Sequence, residues 1–181
     1  MTSAPSLELL HPLPALYASA GEELPDFEVV DSTALPAAAQ QLLVHHGDMT
    51  SKLEAFFSDS MRLRVLQREH TEDLYRREVV LFGEKTGLAV EYGAIEIQLA
   101  AFSEPLRAEI VEARLPLGGL LNRHGVRYRS APRAFLRVGP CARMSALFGL
   151  AESVPLYARS NCLLDGEHRQ LASIVEILRP V

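Results

Sequence analysis

The sequence predicts an α+β fold, an antiparallel sheet with helices packed on it. Three observations predict it. Residues 62–69, 74–82 and 88–99 read as strands, the first by strict polar–apolar alternation. Two turn signals, Gly83-Glu84-Lys85-Thr86-Gly87 and Asp165-Gly166, join neighbouring strands as hairpins. The helical segments lie grouped between the hairpins rather than alternating with single strands, which argues against a parallel α/β sheet.

Taken in order, residues 1–30 carry Pro5, Pro12, Pro14 and Pro25 and an acidic stretch around Glu22-Glu23. They are expected to form an irregular, loosely docked leader, with one domain over 31–181. Ala34–His46 is expected to be a helix capped by Ser32 or Thr33 and stopped at Gly47. Asp48 opens a second helix, in which Ser51-Lys52-Leu53-Glu54 fits a capping box. After the first hairpin, helices are expected over 104–112 and from Pro116, which suits a first helical position, to Gly125. A strand at 133–138 and a small helix over 141–150 follow. Strands at 156–164 and 170–178 close the chain as a final hairpin.

Composition narrows the function classes. The chain has 181 residues, 48% hydrophobic and 23% charged, a balance suited to one domain with a substantial core. Its net charge of -5 argues against a nucleic-acid partner, which needs a basic surface. No apolar run has the length of a membrane span and no secretion signal opens the chain, so no membrane partner and a cytoplasmic location are expected. Cys141 and Cys162 form no CxxC pair, and of six histidines only His45 and His46 are close. Adjacent helical residues diverge, so no metal site and no cofactor are expected.

Strand parity then separates solvated charges from those on apolar faces. Arg77 shares a face with Tyr75, Val79 and Leu81, while Arg76 and Glu78 take the other. A buried guanidinium needs an anionic partner. Glu176 lies with Ala172, Ile174 and Leu178, and Glu91 with Ala89, Gly93 and Ile95. A carboxylate on such a face has a raised pKa unless paired, which suits acid–base work. The plainer alternative is that Arg77 simply pairs with Glu176 or Glu91, the latter diagonally if Arg77 stands opposite Gly93. Two helix starts, at Met49 and Leu117, offer free amides near a positive dipole end. Together with Arg77 they would make a pocket for a ring carboxylate.

The same positions carry a family likeness. Gly47-Asp48-Met49-Thr50 with Leu53-Glu54, Arg77-Glu78-Val79-Val80-Leu81, Pro116-Leu117-Gly118, and Arg159-Ser160 followed by Asp165-Gly166 and Val175-Glu176-Ile177-Leu178 resemble, in order and spacing over residues 36–180, the motifs of chorismate lyases. The resemblance implies a six-stranded sheet around a closed cavity. It implies a monomeric lyase without cofactor that splits chorismate into 4-hydroxybenzoate and pyruvate, for quinone, glycolipid or natural-product biosynthesis. In that reading Arg77 and the amides of Met49 and Leu117 hold the product carboxylate. Glu176 meets the hydroxyl and assists proton movement. One position departs: some of these lyases have an arginine where this chain has Glu91, although another branch carries a glutamate there. The second carboxylate of chorismate then falls to Arg159, with Arg127 and Arg129 in reserve.

Two other readings share the scaffold. One is a related enzyme of secondary metabolism with another small carboxylate substrate. The other is a ligand-sensing domain, since effector domains of one group of bacterial regulators have this fold. Those usually follow a winged helix-turn-helix, which residues 1–35 are too short and Pro-rich to supply, so the lyase is the expected function.

Overall fold

The computed structural model describes residues 4–181. Seven strands form one antiparallel sheet: β1 (Phe27–Val30), β2 (Met61–His70), β3 (Leu74–Gly83), β4 (Ala89–Gln98), β5 (Arg129–Val138), β6 (Leu156–Leu164) and β7 (Gln170–Leu178), in the order β1-β5-β6-β7-β4-β3-β2. Six helices cover it: α1 (Leu13–Ala20), α2 (Ala37–Leu43), α3 (Met49–Phe57), α4 (Glu104–Glu112), α5 (Leu117–Arg123) and α6 (Ala142–Phe148). The α+β class and the antiparallel sheet stand as read from the sequence. The sheet has seven strands rather than six.

The seventh strand comes from the stretch expected to be an irregular leader, which is corrected here. Within residues 4–30 the chain forms α1 and then β1, whose Phe27 stands opposite Val138 of β5 and Val30 opposite Phe135. Leu13, Leu16 and Tyr17 recur at helical spacing and are buried against Tyr92, Val175 and Ile177. The prolines do not oppose this. Pro12 precedes the helix and Pro14 lies in its first turn, where a missing N–H costs nothing.

Helix starts also move. Pro36 is extended, so α2 begins at Ala37, and Asp31 rather than Ser32 or Thr33 caps a short 3₁₀ turn before it. Asp48 caps α3 by accepting from the Ser51 amide at 2.8 Å, in place of the expected box. The Glu54 carboxylate accepts instead from the Met61 amide. Strand β5 begins four residues before the expected Arg133. Pro132 sits where its register to β6 shifts, a place where a strand tolerates a missing donor.

Helices α2–α5 pack on one face of the sheet, around Tyr75, Leu81, Ile95 and Ile97. Helices α1 and α6 pack on the other, around Tyr92, Ala94, Val175 and Ile177. The middle strands are thus buried on both sides. Glu78, on the face opposite Arg77, is fully buried. It accepts from the Tyr92 hydroxyl at 2.5 Å and from Arg143 at 2.6 Å. Arg143 also stacks 4.7 Å over the Tyr17 ring. This cluster ties α1 and α6 to β3.

Candidate functional site

Between the first sheet face and the starts of α3 and α5 lies a cavity of about 80 Å³. That is room for roughly half a dozen waters, the size of a small molecule with one ring. Arg77, Glu91, Arg159, Glu176, Met49 and Leu117 all line it. Arg77 and Glu176 therefore do lie on one side of the sheet, as parity requires. Gly118 lets the two helix starts close together. A Cβ there would stand 3.1 Å from Asp48 Cβ and 3.3 Å from the Tyr128 hydroxyl.

The ion pairs differ from those anticipated. Arg77 stands opposite Ile95, not Gly93, and Glu91 stands opposite Leu81. The offset of two keeps every side chain on its face but moves Glu91 four positions from the Arg77 row, roughly 13 Å along the strand. Arg77 pairs with neither Glu91 nor Glu176. It is 1% exposed, and its Nε and Nη1 have no hydrogen-bond partner. Its guanidinium lies 5.7 Å from the centre of the Tyr75 ring. Burial pulls its pKa down, as it must for a desolvated cation without a counter-charge.

Glu176 is taken by Arg159, which faces it directly across β6 and β7. Arg159 Nε and Nη2 both donate to the Glu176 carboxylate. Its Nη1 reaches the carbonyls of Leu43 at 3.2 Å and His45 at 3.3 Å, and His45 Nε2 at 3.2 Å. Arg159 thus lines the cavity with most of its donors already engaged by Glu176, Leu43 and His45. The reserves do not enter the cavity. Arg127 is exposed on the rim of an adjoining opening, and Arg129 is exposed and donates to His168.

Glu91 is buried with its Oε2 unpartnered. Burial, and then the nearby Glu176 charge, push its pKa well above the usual carboxylate range, against the pull of Arg159. The sequence reading missed the Ser130–Asn161 pair, bonded at 3.1 Å in the wall, and Tyr128 beside Gly118. Parity was the available signal for Asn161, which shares a face with Arg159. Among the described residues no three His, Cys, Asp or Glu side chains group to hold a metal ion. No described helix is long and apolar enough to cross a membrane.

His45 gives a pH prediction. Arg159 Nη1 can only donate, so His45 Nε2 accepts and the ring is neutral. Burial, then the Arg159 charge, lower its pKa from 6.5 to about 4. Above pH 6.5 the ring is neutral both folded and unfolded, and it contributes no pH dependence. Below that the unfolded chain takes up the proton first, so stability is lost as pH falls towards about 4. Denaturation across this window is expected to show the stability of wild type falling relative to that of His45→Gln as pH drops. A constant difference would remove His45 from the linkage.

No protein-family model matches the chain, and no curated protein matches it in sequence. Solved structures do. PhnF from Mycobacterium smegmatis superposes with a TM-score of 0.58 at 16% identity, over 75% of this chain and 65% of that one. The effector domain of PhnF gives 0.55 at 16% identity, over 74% and 88%. The fold is the chorismate-lyase-like one of regulator effector domains. YydK from Bacillus subtilis, described as a possible transcriptional regulator, gives 0.51 at 10% identity, over 66% and 57%. At these identities the likeness is one of fold. The chain spans just under two thirds of whole PhnF and most of its effector domain.

These neighbours overturn the expectation of a carbon–oxygen lyase, and with it the chorismate, 4-hydroxybenzoate, pyruvate and biosynthetic-pathway assignments. They are described as a possible transcriptional regulator and as an effector domain, with no lyase among them. Glu176, the expected proton handler, has both oxygens engaged by the buried Arg159 guanidinium.

Proposed function

We propose that this fold serves as a ligand-sensing domain that encloses a small carboxylate, in the manner of a regulator effector domain. One observation carries the reading: a buried guanidinium, Arg77, with two unpartnered nitrogens on the wall of the cavity. An unpaired buried charge costs several kcal/mol, roughly, and a cavity-bound anion relieves that cost. The start of α3 supports it. Asp48 satisfies the Ser51 amide, which leaves the Met49 and Thr50 amides without a partner inside the helix. Both residues line the cavity. Leu117, Leu163 and Ile174 supply apolar wall for a ring. The likeness to the PhnF effector domain supports sensing by analogy of fold.

The test is a thermal-shift and calorimetric panel of one-ring carboxylic acids, each beside its neutral amide. A bound acid at about 100 times its Kd stabilises by about 2.7 kcal/mol, so acids are expected to raise Tm and amides to leave it unchanged. Equal response to acid and amide, or none to any acid, would sink the proposal. Gly93→Val gives a second check. Gly93 lines the cavity, and a Cβ there would stand 3.2 Å from Val79 Cγ2 and 3.4 Å from Glu91 Oε1, so a valine pushes these side chains aside at the cavity wall. Acid binding is expected to drop by tenfold or more, about 1.4 kcal/mol, with the circular dichroism spectrum kept. Undiminished binding would place the ligand elsewhere.

A further inference from the structure

We infer that the ligand of this cavity is an amino acid of extended form, with a carboxylate at one end and a protonatable amine at the other, about one ring apart. The inference rests on the reading of Arg77 as the carboxylate anchor and concerns the opposite end.

That end is acidic. Glu176 stands directly opposite Gly93 across β4 and β7. Glu91, two residues before Gly93, places its Oε1 3.4 Å from where a Gly93 Cβ would be. Glu91 and, from the neighbouring strand, Glu176 thus stand beside one glycine on the cavity wall, next to Val79. Gly93 pairs with Val79 and Glu91 with Leu81, two and four residues from Arg77, so the acidic end spans roughly 7 to 13 Å along the strand from the Arg77 row. A compact α-amino acid, with its two charges on neighbouring atoms, is too short to engage both ends. A para-substituted ring is not.

Charge decides what the acidic end accepts. The groups facing Glu91 are Glu176 from β7 and Arg159 from β6, with His45 behind Arg159 and Arg77 along β3. Arg159 is the one cation there, and its donors already go to Glu176, Leu43 and His45. A second anionic group on the ligand would meet the Glu176 carboxylate, beside a guanidinium that Glu176 already engages. Glu91 Oε2, buried and unpartnered, has room for a donor. Burial, and then the Glu176 charge, disfavour the charged form of Glu91. An ammonium placed between Glu91 and Glu176 reverses that balance. The ligand then enters as a zwitterion, the Glu91 carboxyl becomes a carboxylate, and its proton leaves to solvent.

The experiment compares three probes of one shape: para-(aminomethyl)benzoate, para-(hydroxymethyl)benzoate and para-methylbenzoate. Calorimetry at neutral pH, in phosphate and in Tris, separates binding heat from buffer protonation. The amine is expected to bind at least roughly tenfold more tightly than either of the others, since a charge-assisted hydrogen bond replaces a neutral one or none. It alone is expected to release close to one proton. Glu91→Gln is expected to abolish the proton release and the preference while retaining binding of para-methylbenzoate. Equal affinity for the hydroxymethyl and aminomethyl acids, without proton release by wild type, would overturn the inference and leave the carboxylate reading standing. No binding of any of the three would overturn both.

Discussion

Arg77→Met is expected to abolish carboxylate binding and, at the same time, to stabilise the ligand-free protein. The two effects have one cause. In the native chain the guanidinium is withdrawn from water with Nε and Nη1 unpartnered. A ligand carboxylate supplies the missing counter-charge, and truncating one member of such a pair costs about 2–5 kcal/mol. That corresponds to a Kd weakened by roughly thirtyfold to several thousandfold. Without ligand the charge is a burden, and an apolar side chain of similar length removes it. Replacing buried charge in this way stabilises by about 1–4 kcal/mol. In a chain of this size each kcal/mol moves Tm by about 2–4 °C. Calorimetry with para-methylbenzoate and a thermal melt of the ligand-free variant measure both. A variant that binds as wild type does, or melts well below it, would show that Arg77 is structural.

Arg159→Met is expected to have the opposite effect on stability, although the two arginines are equally buried. Arg159 holds both oxygens of Glu176 and the carbonyls of Leu43 and His45. Its loss strands a buried carboxylate next to Glu91 and leaves two carbonyls without their donor. Breaking such a pair costs about 3–5 kcal/mol, a large share of the stability of any domain. The double replacement Arg159→Met with Glu176→Leu removes both charges and is expected to recover most of the loss. Urea denaturation of the four proteins closes the cycle. A single-variant loss below about 1 kcal/mol, the range of exposed pairs, would mean that water reaches the pair.

The contrast between these arginines shows where local reasoning stops. Both lie on apolar strand faces by parity, and Arg77, Glu91, Arg159 and Glu176 all line the same cavity. Which acid meets which base depends on register. Glu176 is opposite Arg159, and a two-residue offset between β3 and β4 carries Glu91 away from Arg77. A shift of two is invisible to face assignment, because side chains alternate with a period of two. Glu78 illustrates the other gap. It sits on the face opposite Arg77, yet it is fully buried because α1 and α6 cover that face. Four prolines in the first thirty residues masked the Leu13, Leu16, Tyr17 spacing that builds α1.

By itself, the sequence determined the fold class, both hairpins, and the side of the sheet on which Arg77, Glu91 and Glu176 lie. These follow from periodicity and turn chemistry, which act over two to four residues. Only the tertiary structure decided that the sheet has a seventh strand and helices on both faces, that Arg159 and not Arg77 holds Glu176, and that one guanidinium is left unpaired. Those outcomes depend on contacts between segments far apart in the chain, and pairing energies there are settled by register and desolvation together.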